Sequence, residues 1–226
     1  MLKEFSFGTF FLHLKMKIIG AKTPWLIKKL FFNYVWEIPN NKNKVFLSFD
    51  DGPIPEVTPW VLNKLKKYNV KAIFFCISDN IKKNCALFLN IISEGHSIGN
   101  HTYNHLEGWK TQNEKYFENT KPCQTEIEKH HVKTNLFRPP YGKIKLSQSK
   151  VLRKLGYKII MWDIISYDFN LSTAPKKNLD NVLNNVKSGS IAVFHDSEKA
   201  FENLKFVLLN VLENLKERGF VLEKIT

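Results

Sequence analysis

The sequence has no long apolar run. Nowhere does it approach the ~20 consecutive apolar residues of a membrane-crossing helix, so no spanning segment is expected. It has three cysteines, Cys76, Cys85 and Cys123, an odd number without CxxC or zinc-finger spacing. They read as free, mostly buried thiols of a reducing compartment, which weighs toward the cytoplasm. There is no internal repeat, no low-complexity tract and, after residue 44, no linker. Acid is the scarcer charge: 21 Asp and Glu stand against 34 Lys and Arg, a net charge of +13. Such a balance invites a nucleic-acid reading. The lysines, however, are scattered ("NKLKKYN", "IKKN", "APKKN"), and no basic arm is interleaved with a regular series of aromatics. Solvated helix faces with some attraction to anionic surfaces are expected, and no nucleic-acid partner.

What is present suits a globular protein. The 226 residues are 43% hydrophobic and hold 18 Phe, enough for one large domain or two small ones. The first stretch, "FSFGTFFLHL", faintly resembles the apolar part of a signal peptide. His13 and Lys15 interrupt it and no small-residue cleavage site follows. Met16 opens "MKIIGAKTPW", so residues 1–15 read either as native or as an upstream extension of the reading frame.

From residue 44 onward, strand and helix signals alternate. "KVFLSF" reads as a strand with Val45, Leu47 and Phe49 on one face, followed by a helix capped by Thr58 with Pro59 in its first turn. "VKAIFFCI" reads as a strand buried on both faces. Then comes a helix with Ile81, Cys85, Phe88, Leu89 and Ile92 at helical spacing, stopped by Gly95. Further helices are expected over 113–131, 147–155 and 178–187, and a long amphipathic one on Phe201, Leu204, Leu208, Val211, Leu212 and Leu215. "TNLF", "YKIIMWDI", "GSIAVFHD" and the closing "FVLEKI" read as strands. Alternating strands and helices imply a mainly parallel sheet, open or closed into a barrel, with its chemistry at the strand C-termini.

Five strand ends carry chemical groups. Asp50 and Asp51 end the first strand, before Gly52, Pro53 and Pro55. Alone they fit turn chemistry, but paired carboxylates also divide labour, one on a cation and one as a base. In "HTYNH", His101 and His105 stand four apart; on a helical turn both reach one metal, and otherwise they are two surface histidines. In "FRPPYGK", Arg138 is stiffened by Pro139 and Pro140, either to grip a carboxylate or only to shape a turn. Asp163 and Asp168 follow in "MWDIISYDF", then His195 and Asp196 in "IAVFHDS". Together the five point to a metal-centred hydrolytic site.

"SFDDGP", "HTYNH", "RPPYG", "WDIISYDF" and "IAVFHD", in this order, resemble the five motifs of the polysaccharide deacetylase family with the NodB homology domain (carbohydrate esterase family 4). The likeness covers roughly residues 44–226, leaving 1–43 as an N-terminal extension and lead-in. It implies an α/β fold, a distorted, incomplete (β/α) barrel with the active site at the C-terminal ends of the strands. It also implies a divalent metal, commonly zinc with cobalt or another ion possible, and removal of N-acetyl groups from peptidoglycan- or chitin-like glycans.

Carried over by position, Asp51, His101 and His105 hold the metal, and Asp50 is the general base for the attacking water. The backbone N–H of Tyr141 faces the oxyanion, His195 is the general acid, Asp168 orients His195 and Arg138 orients Asp50. Tyr141, Trp162 and Val193 are the implied substrate contacts, with Trp109 a further stacking surface. The family pattern is departed from at Ser48 (usually Thr), Ile165 (an Asp), Phe169 (a Trp) and Val193 (commonly Leu). These changes bear on the substrate-binding wall more than on the chemistry. The expected partner is an acetylated glycan, with a monomer as default. Residue composition favours a cytoplasmic or peripheral protein and the family role favours the cell envelope. The rivals are a small-molecule deacetylase or amidohydrolase and a non-catalytic glycan-binding protein.

Overall fold

The computed structural model describes residues 20–226, so the readings of residues 1–15 fall outside it. A short helix, α1 (Trp25–Leu30), precedes the first strand, β1 (Lys44–Asp51). Then follow α2 (Val57–Lys67), β2 (Ile73–Cys76), α3 (Ser78–Lys83), α4 (Cys85–Ser93) and β3 (Ser97–Asn100). Next come α5 (Asn113–Lys129), β4 (Leu136–Phe137), α6 (Leu146–Lys154), β5 (Lys158–Ile159) and β6 (Ile164–Ile165). The chain continues through α7 (Pro175–Leu183), β7 (Ile191–His195), α8 (Phe201–Glu217) and β8 (Val221–Glu223).

All the strand pairs are parallel, in the order β5-β4-β3-β2-β1-β7-β6, with β8 beside the start of β1. The curled sheet is an open, incomplete barrel, as expected. Alternation along β1 divides the core. Val45, Leu47 and Phe49 pack against the helices together with Leu204, Leu208, Val211 and Leu215 of α8. Phe46 faces the barrel interior with Ile73, Phe75 and Ile191, on the same strand face as Ser48 and Asp50. Leu204, Leu208, Leu212 and Leu215 of α8 sit at 3–4-residue spacing and are fully buried, worth roughly 1.5–3 kcal/mol apiece. Gly219, at φ 74, ends that helix.

Four local expectations are corrected. Thr58 does not cap α2; it lies inside it, its hydroxyl engaged by the Ile54 N–H and by Asp196. The expected 81–95 helix breaks at Asn84, and Ile91 faces the core while Cys85 and Leu89 face solvent. His101 and His105 lie on an irregular turn with Thr102 at φ 68 and His105 at φ 62. Backbone groups there bond to α3 and α5 in place of an i−4 ladder: Ser78 N–H to Thr102 O, and Tyr103 N–H to Asn119 O.

"YKIIMWDI" is two strands, β5 and β6, at opposite edges of the sheet. Residues 20–38 bridge the gap between them. Val35 pairs with Ile160 and Lys22 with Ile164, and the Val35 N–H donates to Ile159 O at 2.8 Å. Asp163, an expected strand-end acid, serves this seam. Buried, it accepts from Ser190 Oγ at 2.6 Å and pairs with Lys28 of α1.

Candidate active site

Asp50, Asp51, His101, Arg138, Asp168 and His195 all lie at or just beyond strand C-termini, on β1, β3, β4, β6 and β7. Strand register brings the first and last motifs together: Asp50 stands opposite His195 across the β1–β7 pair, so both side chains leave the same face of the sheet.

Arg138 is fully buried inside the barrel, its guanidinium 4.1 Å from the centre of the Phe75 ring. Nη1 donates to Asp50 Oδ1 at 2.7 Å and to Ser48 Oγ at 2.8 Å, while Nε and Nη2 donate to the Ile160 and Met161 carbonyls. Burial would raise the Asp50 carboxyl. The Arg138 charge outweighs it, helped by His101 and His195, and holds Asp50 below the ordinary carboxylate range. Asp50 therefore stays ionised in a buried place.

Asp51 turns elsewhere. Its φ of 87 lies in the left-handed region, which Asp tolerates better than most residues. Its Oδ1 lies 3.3 Å from His105 Nε2 and 3.8 Å from His101 Nε2, and this buried oxygen has no hydrogen-bond donor. Asp51, His101 and His105 bring one ligand atom each within 4.8 Å of one another, the one such group among the described residues. His101 Nδ1 donates to the Arg138 carbonyl at 2.7 Å, leaving the Nε2 lone pair toward Asp51. Burial, with His105 alongside, brings His101 down to about 4 against the pull of Asp50 and Asp51, so the ring is neutral near pH 7. A donorless buried carboxylate oxygen beside a neutral imidazole fits a divalent cation.

His195 is held by Asp168. The His195 N–H and Nδ1 both donate to this carboxylate at 2.8 Å, and Asp168 is itself fully buried. Burial opposes the charged ring, but Asp168, with Asp51 and Asp50 beyond it, pushes His195 up to about 9. The Phe169 ring meets the imidazole edge-on at 4.8 Å. Asn203 of α8 donates to the Asp168 carbonyl at 2.8 Å.

Tyr141 sits at φ 60 on the Pro–Tyr–Gly turn, exposed, its ring 4.4 Å from that of His105. Trp162 packs beneath the turn so closely that a Cβ on Gly142 would meet its ring at 2.5 Å. Trp162 is thus covered by the turn. Val193 is buried on β7, on the same face as His195, and Trp109 is partly exposed, its indole N–H donating to Ile144 O. Ile165 is buried beside Val193 in the β6–β7 pair.

Sequence reasoning gave Asp196 no role. Its Oδ1 accepts from the Gly52 N–H at 3.0 Å and its Oδ2 from Thr58 Oγ1 at 2.7 Å, clamping the loop that follows Asp51. Burial, with Asp51 nearby, raises its carboxyl to about 8 despite both donors. A Cβ on Gly52 would lie 1.9 Å from Asp196 Oδ2, so that glycine is required by the clamp. The adjacency of Asp196 to His195 was the only signal in the sequence; Thr58 gave none.

A polysaccharide deacetylase family model matches residues 37–160. A peptidoglycan-N-acetylglucosamine deacetylase of Bacillus cereus is 34% identical over 186 residues, spanning 82% of this chain and 87% of the relative. A chitooligosaccharide deacetylase of Azorhizobium caulinodans is 30% identical, over 83% of this chain and 95% of its own. Among solved structures, a peptidoglycan N-acetylglucosamine deacetylase in complex with 4-naphthalen-1-yl-N-oxidanyl-benzamide superposes with a TM-score of 0.81 at 30% identity, covering 90% of this chain and 94% of that one. A pseudoenzyme of the same carbohydrate esterase family from Bacillus anthracis gives a TM-score of 0.75 at 25% identity, covering 84% and 66%.

Proposed function

The chain belongs to the polysaccharide deacetylase family, and from that premise we propose that it is a metal-dependent hydrolase removing N-acetyl groups from an N-acetylglucosamine-containing polysaccharide or oligosaccharide. Because a pseudoenzyme shares the fold, the shape alone does not carry this reading. What carries it is one constellation: a donorless Asp51 oxygen between two imidazoles, beside an ionised Asp50 that stands across from a protonated His195.

Asp51, His101 and His105 would hold a divalent cation, zinc by the nitrogen-rich donor set, and when bound it supplies Lewis acidity toward an amide carbonyl. Asp50 removes a proton from the attacking water; Arg138 fixes the carboxylate's orientation and keeps it ionised. The Tyr141 N–H donates to the oxygen that gains charge as water adds to the acetyl carbon. His195 gives its proton to the sugar nitrogen as the C–N bond breaks, and acetate leaves from a free amine. Asp168 holds His195 in the donating orientation and favours its charged form. Val193 lines the acetyl side and Tyr141 the sugar side, with Trp162 packed beneath the Tyr141 turn as its support.

The reading places the protein's work at the cell envelope, because peptidoglycan is named in its Bacillus cereus relatives. No helix among the described residues is long and apolar enough to cross a membrane. The site is complete within one chain, which supports a monomer.

The test is acetate release from a panel of acetylated glycans, with and without chelator, comparing wild type with Asp50→Asn. Release should vanish with chelator and fall by about 10²-fold or more in the variant, the usual scale for losing a general base. Equal release by Asp50→Asn would remove Asp50 from that role.

A further inference from the structure

Asp51 brings its carboxylate to the two imidazoles from a left-handed φ of 87. A residue other than glycine keeps such an angle only where its surroundings over-determine it. The backbone angles of Asp51 relate two rigid peptide planes, 50–51 and 51–52, so whatever fixes both planes also aims the carboxylate. Three hydrogen bonds do so. In the first plane, the Asp50 carbonyl accepts from the Asp196 N–H at 3.1 Å. In the second, the Asp51 carbonyl accepts from Asn80 Nδ2 at 2.7 Å, and the Gly52 N–H donates to Asp196 Oδ1 at 3.0 Å. Asp196 thus reaches both planes, one with its backbone and one with its carboxylate.

Both holders are themselves held. Asp196 is fully buried, and its second oxygen accepts from Thr58 Oγ1 at 2.7 Å. The same hydroxyl accepts from the Ile54 N–H at 2.8 Å, so the loop beyond Gly52 is tied to this carboxylate too. Asn80 belongs to α3, whose start also carries the histidine half of the site. There the Ser78 and Asp79 N–H groups donate to the Thr102 and Tyr103 carbonyls, at 3.1 and 2.9 Å. Thr102 and Tyr103 stand between His101 and His105 in the chain. One short helix therefore sets the Asp51 carbonyl and the histidine turn against each other. Neither Asp196 nor Asn80 belongs to the group of ligand atoms.

We propose that Asp196 and Asn80 are positioning residues of the metal site. Neither touches the cation; together they hold Asp51 in the conformation that presents its carboxylate, so the affinity for the cation depends on them. The proposal rests on the deacetylase reading for the presence of a cation at Asp51, His101 and His105.

Titration of the metal-free full chain with zinc, in competition with a chromogenic chelator, tests this without any substrate. Groups that orient metal ligands from outside typically contribute about 10–100-fold in affinity, so Asp196→Ala and Asn80→Ala should each weaken zinc binding by about tenfold or more. Asp196→Asn keeps an oxygen for the Gly52 N–H and should recover most of the loss. In Gly52→Ala the new Cβ would lie 1.9 Å from Asp196 Oδ2, so the clamp must open and zinc binding should weaken by a similar factor. Added to Asp196→Ala, the same change should cost little more, because clash and clamp are then both gone. Unchanged zinc affinity in Asp196→Ala, or losses that add in the double variant, would overturn the proposal. If circular dichroism shows Asp196→Ala unfolded, unchanged affinity in Gly52→Ala and Asn80→Ala overturns it instead. Acetate release from acetylated glycans is followed in parallel. Weakened zinc binding in the variants, with no acetate released even by wild type, leaves the clamp standing and removes the deacetylase reading. Release by wild type with unchanged zinc affinity in the variants removes only the clamp.

Discussion

Asp50 and Asp51 are chain neighbours in opposite surroundings. The first is buried against a guanidinium; the second turns through a left-handed φ toward two imidazoles. Two adjacent anions are tolerable because each has its own positive or metal-ready neighbourhood. The same logic governs His195, whose proton is kept by Asp168 and lost near pH 9. In the proposed mechanism the acid must be protonated, so kcat should hold through neutral pH and fall above about pH 9. Asp168→Asn removes the charge that offsets burial, so the alkaline limb of the kcat–pH profile should move to lower pH. A limb that stays in place would reduce Asp168 to a packing group. The pair also contributes stability that is fully present below the unfolded imidazole pKa of ~6.5 and is lost as pH rises through about 9.

Among the elements, the lead-in before β1 was the least legible. No motif marks residues 20–38, yet they close the seam between β5 and β6. Lys28 anchors them, its ammonium shared by Glu37 and the fully buried Asp163. Lys28→Met should destabilise the protein by about 2 kcal/mol, because it strands a buried carboxylate that keeps only Ser190 and a more distant Lys22. The denaturant midpoint measures this. Adding Asp163→Leu should recover part of the loss, since the stranded charge is then gone. No recovery would mean that Lys28 acts only through its packing. The histidine turn is a related case: His101 and His105 do come together, but neighbouring helices, not an i−4 ladder, hold that turn.

For the molecule as a whole, the candidate metal ligands Asp51, His101 and His105 join the ends of two strands, β1 and β3. Binding only to the folded chain should stabilise it by about 2.7 kcal/mol at a hundredfold excess over Kd, a rise in Tm of about 5–10 °C at this size. Zinc should produce that rise, chelator should reverse it, and Asp51→Asn should abolish it. A full rise in the variant would exclude Asp51 as a ligand. This readout does not depend on turnover.

The order of elements, the parallel sheet and the candidate residues were legible because they are local. Apolar alternation, helical spacing and strand-end polar groups are written within a few residues of one another. The seam closed by residues 20–38 and the Asp196 clamp on Gly52 were decided only by the tertiary structure. Asp196 lies 144 residues from the glycine it holds, and Lys28 lies 135 from Asp163. Such partners meet through strand register and sheet curl, and neither is encoded in any short stretch of sequence.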